Sequence, residues 1–358
     1  MIVFVGGVVF CIFIYYHAGT FAVLFRLIKK YIFAKKYQVP ERSIFDFPLP
    51  PFPNSWYPVC LTSKIKENQK YTFRIASNDI LLYRSKVDST IQCIPRYCPH
   101  MGVDLKYGCI KSNCIKCPFH GKHVSPKTEN TFSIEEANGI VFIWIGSVHN
   151  EFPPIRIKKL MKQNSMEDFT IFSYLTFQHN VGGHLVDYAE HLLDICHAPY
   201  IHNTEIKPIE NGLKTNKYSF STSFKIEKEN SVFIPIFTYA TPSFGNIEYT
   251  KYGNVFIMFI VNDVGNIQMN IIPGWKGYFT LQKFFTSLAF SIYTYIDFLD
   301  EAVYFTTKDH NKRNLNKNEE AISHFRKWFI NTYFSKDQLK SFETQKEKYY
   351  KMNLINDW

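Results

Sequence analysis

The sequence predicts an α+β protein made of an N-terminal membrane helix, a small all-β domain, and a larger α+β domain built on an antiparallel sheet. Three observations predict it. Residues 1–25 are apolar and contain no Lys, Arg, Asp or Glu. From residue 56 to about 150 the chain is a series of short β-rich runs broken by turn signals. From 151 to 358 longer apolar runs follow, and the chain closes on helical text. With 358 residues, 46% hydrophobic and 17% aromatic, it is long enough and apolar enough for two domains with a proper core, and disorder is excluded.

The first segment, "MIVFVGGVVFCIFIYYHAGTFAVLF", is long enough to cross a bilayer, although His17 and its glycines weaken it. No basic stretch precedes it, so an uncleaved anchor is favoured over a signal peptide. The basic "RLIKKYIFAKK" that follows places its C-terminal side in the cytoplasm. Residues 26–55 form a basic and proline-rich linker, in which Pro48, Pro50, Pro51 and Pro53 predict an extended, semi-rigid spacer. The runs "KYTFRIASNDILLYRSK", "STIQCIPRYC" and "GIVFIWIGS" are the strands of the domain at 56–150. "NEFPPIRIKK" marks the boundary to the domain at 151–358. There a helix is expected from about His184 to Ala198, then strands ("YSFSTSFKIE", "SVFIPIFTYA", "NVFIMFIVND", "NIQMNIIPG"), then helices again ("IDFLDEAVYFTTKD", "EEAISHFRKWFINTYF"). The formal charge of +10 is spread along the chain, with one cluster behind the apolar segment, so no nucleic-acid partner is implied. Eight cysteines are too few for a disulfide scaffold at this length, and a reducing compartment follows.

Residues 98–123, "CPHMGVDLKYGCIKSNCIKCPFHGKH", hold four of those cysteines and three histidines. Their key spacing is Cys98-x-His100, sixteen residues, then Cys117-x-x-His120. Zinc accepts a Cys₂His₂ set, but this order is unusual for it. Two Cys/His loops can also clasp a two-iron cluster, with both cysteines on one iron and both histidines on the other. Gly102, Gly108 and Gly121 permit the tight turns such loops need. The leftover Cys109 and Cys114 are read as uninvolved small residues, and His123 as a surface histidine.

The second constellation is "EHLLDICHAPYIH", residues 190–202. On a helix, Glu190, Asp194 and His197 would share one face. Pro199 should end that helix and let His202 return toward His197. Two histidines and a later carboxylate would make the facial triad of non-haem Fe(II) oxygenases, which leaves positions open for dioxygen. An isolated H-x₄-H is weak, and its company gives it weight.

Together the two motifs resemble the Rieske non-haem iron oxygenases, with Lys122 standing where that family usually carries Trp. "SWYPVCLTSKIKENQ", "HLVDYAEHLLDICHAPYIH" and "HFRKWFINTYFS" resemble in particular the Neverland-type cholesterol 7-desaturases and the related bacterial ketosteroid hydroxylases. The resemblance implies a [2Fe-2S] Rieske domain at 56–150, with Cys98, His100, Cys117 and His120 as cluster ligands, and a helix-grip catalytic domain at 151–358. It implies mononuclear Fe(II) on His197, His202 and a late carboxylate, where "FLDEAVYFTTK" favours Glu301 over Asp300. It implies that Asp194 links the two metal sites between neighbouring subunits of a homotrimer, with Glu190 beside that bridge. A sterol substrate, dioxygen and NAD(P)H electrons delivered by a separate reductase follow in the same way. So does a single-pass protein of the endoplasmic reticulum with its catalytic part cytoplasmic. Cholesterol to 7-dehydrocholesterol is the expected conversion. A sterol hydroxylase is the alternative, and a membrane-tethered electron carrier without catalytic iron is a second one.

Overall fold

The computed structural model describes residues 43–356, apart from residues 130, 147–152, 192, 203, 210–211, 229–230, 251–252 and 309–319. The expected membrane span at 1–25 lies outside the described residues, and no described helix is long and apolar enough to cross a membrane.

Nine short strands make up the first half of the described chain. They are β1 (Ser55–Leu61), β2 (Lys70–Ile75), β3 (Asn78–Arg84), β4 (Ile91–Pro95), β5 (Cys109–Lys111), β6 (Cys114–Lys116), β7 (His123–Val124), β8 (Ile134–Ala137) and β9 (Ile140–Ile145). They pair antiparallel into three small sheets, β1–β9–β8, β2–β3–β4 and β5–β6–β7. Strand β9 is buried along its whole length, as its run of β-branched and aromatic residues requires. A separate small core of Leu81, Tyr83, Ile94, Leu105, Ile115 and Val124 packs directly beneath Cys98 and Cys117.

The second half is one antiparallel sheet flanked by helices. Helix α1 (Ile157–Gln163) leads to β10 (Phe169–Ile171) and β11 (Phe177–Val181). Helix α2 (Leu185–His191) and a short α3 (Ala198–Ile201) come next. The strands resume with β12 (Ile206–Pro208), β13 (Lys214–Thr215), β14 (Phe220–Lys228), β15 (Ser231–Phe233), β16 (Ile236–Thr241), β17 (Phe244–Thr250), β18 (Gly253–Asp263) and β19 (Asn266–Lys276). Helices α4 (Leu281–Thr307), α5 (Glu320–Tyr333) and α6 (Lys336–Asn356) close the chain. The sheet order is β10–β19–β18–β17–β16–β14–β12, with β11 also on β19.

Antiparallel strands usually alternate, with one face wet, but the first nine residues of β18 are all buried. The packing explains this. Helix α4 covers one side of β18 and β19, and strands β1 and β2 of the first domain meet β18. The two halves are joined by polar contacts as well. The N–H of Ala76 donates to the Val261 carbonyl at 2.7 Å, and Arg74 bridges Asp79 and Asp263 at 3.0 and 2.9 Å. Ser287, on the buried face of α4, ties the helix to the sheet, accepting from Asn254 N–H at 3.1 Å and donating to the Gly274 carbonyl at 2.6 Å.

The described part of the proline-rich linker is not a free spacer. Phe47 and Leu49 are buried, the Pro50 carbonyl lies 2.8 Å from His184 Nε2, and Asn54 N–H donates to Tyr333 O at 2.8 Å. The two apolar side chains outweigh the extended tendency of the prolines and dock the segment on the second domain.

Candidate metal centres

The cysteine–histidine run folds into two loops of the same design. In the first, Cys98 N–H donates to Val103 O at 2.8 Å and Gly102 N–H to Cys98 O at 2.8 Å. In the second, Cys117 N–H donates to Lys122 O at 2.8 Å and Gly121 N–H to Cys117 O at 3.1 Å. Gly102 and Gly121, each four residues after its cysteine, have φ of 70° and 71°, a conformation in which a side chain is strained. Asp104 braces the first loop, accepting from Arg96 Nη2 at 2.7 Å and from Lys106 N–H at 3.0 Å.

The loops bring the four expected residues to one end of the domain. Cys98 and Cys117 are buried at 3% and 4% exposure, while His100 and His120 are exposed with ring centroids 4.9 Å apart. Backbone N–H groups of Phe119 and His120 point at the Cys117 sulfur and hold its thiol below the ordinary range, against a smaller effect of burial. Buried, amide-supported sulfurs on one side and two solvent-facing imidazoles on the other fit a two-iron cluster with unlike ends. Cys109 and Cys114 stand apart on β5 and β6, and the seven described cysteines form no disulfide.

The second constellation departs from the expected continuous helix. Helix α2 ends at His191, and Asp194 N–H doubles back to the carbonyls of Glu190 and His191 at 3.2 and 3.1 Å. The Asp194 carboxylate then accepts from Cys196 N–H at 3.1 Å and starts a new turn. Pro199 sits in the first turn of α3, where its missing N–H costs nothing, so it begins a helix instead of ending one. The break separates the three residues expected on one face. Asp194 stays 3.7 Å from His197 Nδ1, while Glu190 turns to Arg326 of α5 and makes a two-pronged pair at 2.6 and 2.7 Å. Glu190 is buried, so replacing Arg326 with Met should destabilise the fold by about 3 kcal/mol. Urea unfolding checks this, with Glu190→Gln added to the same chain expected to restore part of the loss.

From α4, Glu301 reaches the histidines. Its Oε1 lies 2.5 Å from His202 Nε2 and 3.6 Å from His197 Nε2, and its Oε2 lies 2.7 Å from His191 Nε2. One ligand atom from each of His191, His197, His202 and Glu301 lies within 4.8 Å of all the others. Asp300 is half-buried on another face of α4 and is not in this group. Two neighbours escaped the sequence reading. His191 was passed over beside Glu190, and Asp297, 3.7 Å from His202 Nδ1, sits one helical turn before Glu301. That four-residue spacing was the available signal for Asp297. His191 offered none, because its partner Glu301 arrives from α4, far along the chain.

Electrostatically the group is poised for a cation. Burial works against the Glu301 charge, yet the surrounding histidines, His191 first, hold its carboxyl well below the usual range. Burial lowers His197, but Asp194 and Glu301 outweigh it and push the imidazole up to about 9. Imidazoles and one carboxylate around a common point fit a divalent iron-type ion. They form the floor of a cleft of about 700 Å³, counting its open mouth, walled by Ile195, Ile206, Phe224, Phe237, Ile247 and Phe298.

Residues 55–138 match the Rieske [2Fe-2S] domain family. The chain carries a Rieske domain. The cholesterol 7-desaturase of Bombyx mori is 25% identical over 174 residues, which are 44% of this chain and 37% of that protein. The Caenorhabditis elegans cholesterol 7-desaturase is 28% identical over 191 residues, 48% and 43% of the two chains. The chloroplastic chlorophyllide a oxygenase of Oryza sativa subsp. japonica is 27% identical over 169 residues, 43% and 30%. The matched stretches therefore span less than half of these relatives. Among solved structures, the oxygenase in the oxygenase–ferredoxin complex of carbazole 1,9a-dioxygenase superposes with a TM-score of 0.58 at 15% identity, covering 81% of this chain and 93% of that one. A quaternary ammonium Rieske monooxygenase gives 0.54 at 14%, covering 79% and 90%. This chain shares their fold, and the cholesterol 7-desaturases that it matches in part come from separate animal species.

Proposed function

We propose that this Rieske protein is an oxygenase-type enzyme that desaturates a sterol, with cholesterol to 7-dehydrocholesterol as the leading conversion. The observation that carries the reading is the convergence of His197, His202 and Glu301 on the floor of an apolar cleft, in a chain that also carries a Rieske domain. The partial similarity to cholesterol 7-desaturases supports a sterol as the substrate class. Cys98, His100, Cys117 and His120 are the cluster ligands in this reading, and His197, His202 and Glu301 hold the catalytic iron. The domain division near residue 150 and an N-terminal anchor at 1–25 belong to the same proposal.

The redox balance is closed. The substrate gives up two hydrogens from adjacent carbons, and NAD(P)H supplies two further electrons through a separate reductase. Dioxygen takes all four electrons and four protons, two from the substrate, one from NAD(P)H and one from the medium, and leaves as two molecules of water. The metals supply the oxidising and electron-carrying chemistry when bound. The protein supplies the rest. Exposed His100 and His120, with exposed Phe119 against the His120 ring at 4.1 Å between centroids, offer a face on which an electron donor or a second copy can dock. In a homotrimer that second copy would present its Asp194 to these histidines. Asp194, 3.7 Å from His197 Nδ1 and short of hydrogen-bond contact with it, places a negative charge on the side of that ring away from Glu301. The apolar walls exclude water and orient a rigid hydrocarbon, and Tyr249 and Thr294, 2.9 Å apart, add a polar spot within them.

The test is conversion of cholesterol by the full-length chain in a sterol-free host supplied with a reductase. Mass spectrometry should show a product lighter by two hydrogens with conjugated-diene absorption, abolished by His202→Ala. Unchanged cholesterol with both metal sites loaded would overturn the substrate. A hydroxylated product would keep the iron chemistry and replace the outcome.

A further inference from the structure

We propose that His191 is a positioning residue for the mononuclear metal site, holding one oxygen of Glu301 so that the other is presented to His197 and His202. The inference rests on the metal site proposed above and goes beyond it by adding a third histidine with a separate task.

The division of the Glu301 carboxylate is the starting point. Oε2 lies 2.7 Å from His191 Nε2, and Oε1 lies on the side of His202 and His197 at 2.5 and 3.6 Å. A carboxylate whose two oxygens have different partners cannot rotate without losing one of them. An N–H on His191 Nε2 donates to Oε2, which satisfies that buried oxygen and leaves Oε1 for the metal side. Keeping Oε2 occupied by protein preserves the open positions a dioxygen-using site requires.

The His191 ring is itself locked. It stacks on His197 with centroids 4.0 Å apart and planes at 28°, and it meets Phe305 edge-on at 5.0 Å and 89°. Phe305 lies one helical turn beyond Glu301 on the buried face of α4, so the same helix supplies both the carboxylate and the wall behind its partner. His191 is also the last residue of α2, and its side chain is only 14% exposed. Sequence spacing gives no hint of this role, since the carboxylate that the ring meets arrives from α4, far along the chain.

The experiment compares wild type, His191→Phe and His191→Gln in the full-length protein. Phe keeps an aromatic ring without the donor, and Gln keeps a donor without the ring. Ferrous ion is titrated anaerobically, and the nitric oxide adduct of the ferrous site is followed by electron paramagnetic resonance, with the cluster's visible absorption as a control for folding. His191→Phe should bind ferrous ion about 10- to 100-fold more weakly and change the shape of the nitric oxide signal. His191→Gln should restore both toward wild type, and the cluster absorption should be the same in all three. An unchanged affinity and signal in His191→Phe would overturn the proposal. So would spin-echo data on ¹⁵N-histidine protein that count three metal-bound imidazoles in wild type and two in His191→Phe, because His191 would then be a ligand. If wild type binds no ferrous ion beyond its cluster, the oxygenase reading fails first, and this inference falls with it.

Discussion

Replacing Glu301 with alanine is expected to empty the mononuclear site and leave the cluster untouched. Wild type should contain three irons per chain and the variant two, with unchanged visible absorption from the cluster. Product formation should fall by at least about a hundredfold. The physical reason is that Glu301, which is 4% exposed, is the one carboxylate among the described residues grouped with all three histidines. Without it, His191, His197 and His202 surround a neutral gap in which a divalent ion has no charged ligand. Glu301→Asp keeps the charge but is shorter by one methylene, so it should retain part of the iron and serve as the graded control. Iron analysis by mass spectrometry reads both. An Ala variant with full iron content would remove Glu301 from the site and direct attention to Asp297.

Cys117→Ser should have the complementary effect. The cluster absorption should disappear, and product formation from reductase-supplied electrons should be lost, while ferrous ion still binds at His197, His202 and Glu301. The sulfur of Cys117 is buried and receives backbone N–H groups from Phe119 and His120, an environment matched to a thiolate held in a cluster. A serine oxygen there is a harder donor and is poorly suited to an iron–sulfur unit. Absorption spectroscopy and iron counting on the same preparation separate the two outcomes. A variant retaining the full cluster signal would mean that another residue, with exposed Cys109 and half-buried Cys114 the nearest candidates in sequence, takes its place.

Much of the candidate chemistry was legible because it lies in short stretches. Cys98 and His100 are separated by one residue, Cys117 and His120 by two, and glycines at 102 and 121 permit the loop conformation; such features depend on covalent geometry and little else. The pair His197 and His202 was readable for a similar reason, although Pro199 acts by starting a helix and not by ending one. The apolar runs at 231–240, 254–263 and 266–274 announced strands, but the full burial of β18 could not be read from them. It requires the first domain on one side and α4 on the other.

What the sequence determined by itself is the content of each site: two cysteine–histidine loops, a histidine pair, and an acidic helix segment arriving about a hundred residues later. What only the tertiary structure decided is which members of those segments meet. Between adjacent Asp300 and Glu301, the choice depends on the face of α4 that packs against the sheet, and burial of Tyr295, Phe298, Ala302 and Phe305 turns Glu301 inward. Glu190 was drawn away from the histidines because a buried carboxylate needs a cation, and α5 brings Arg326 to it. His191 enters the site because α4 brings Glu301 to within 2.7 Å of its Nε2. Arg326 and Glu301 lie more than a hundred residues from Glu190 and His191, so local spacing carries no record of those two pairings. Only the packing of α4 and α5 against the sheet fixes the geometry.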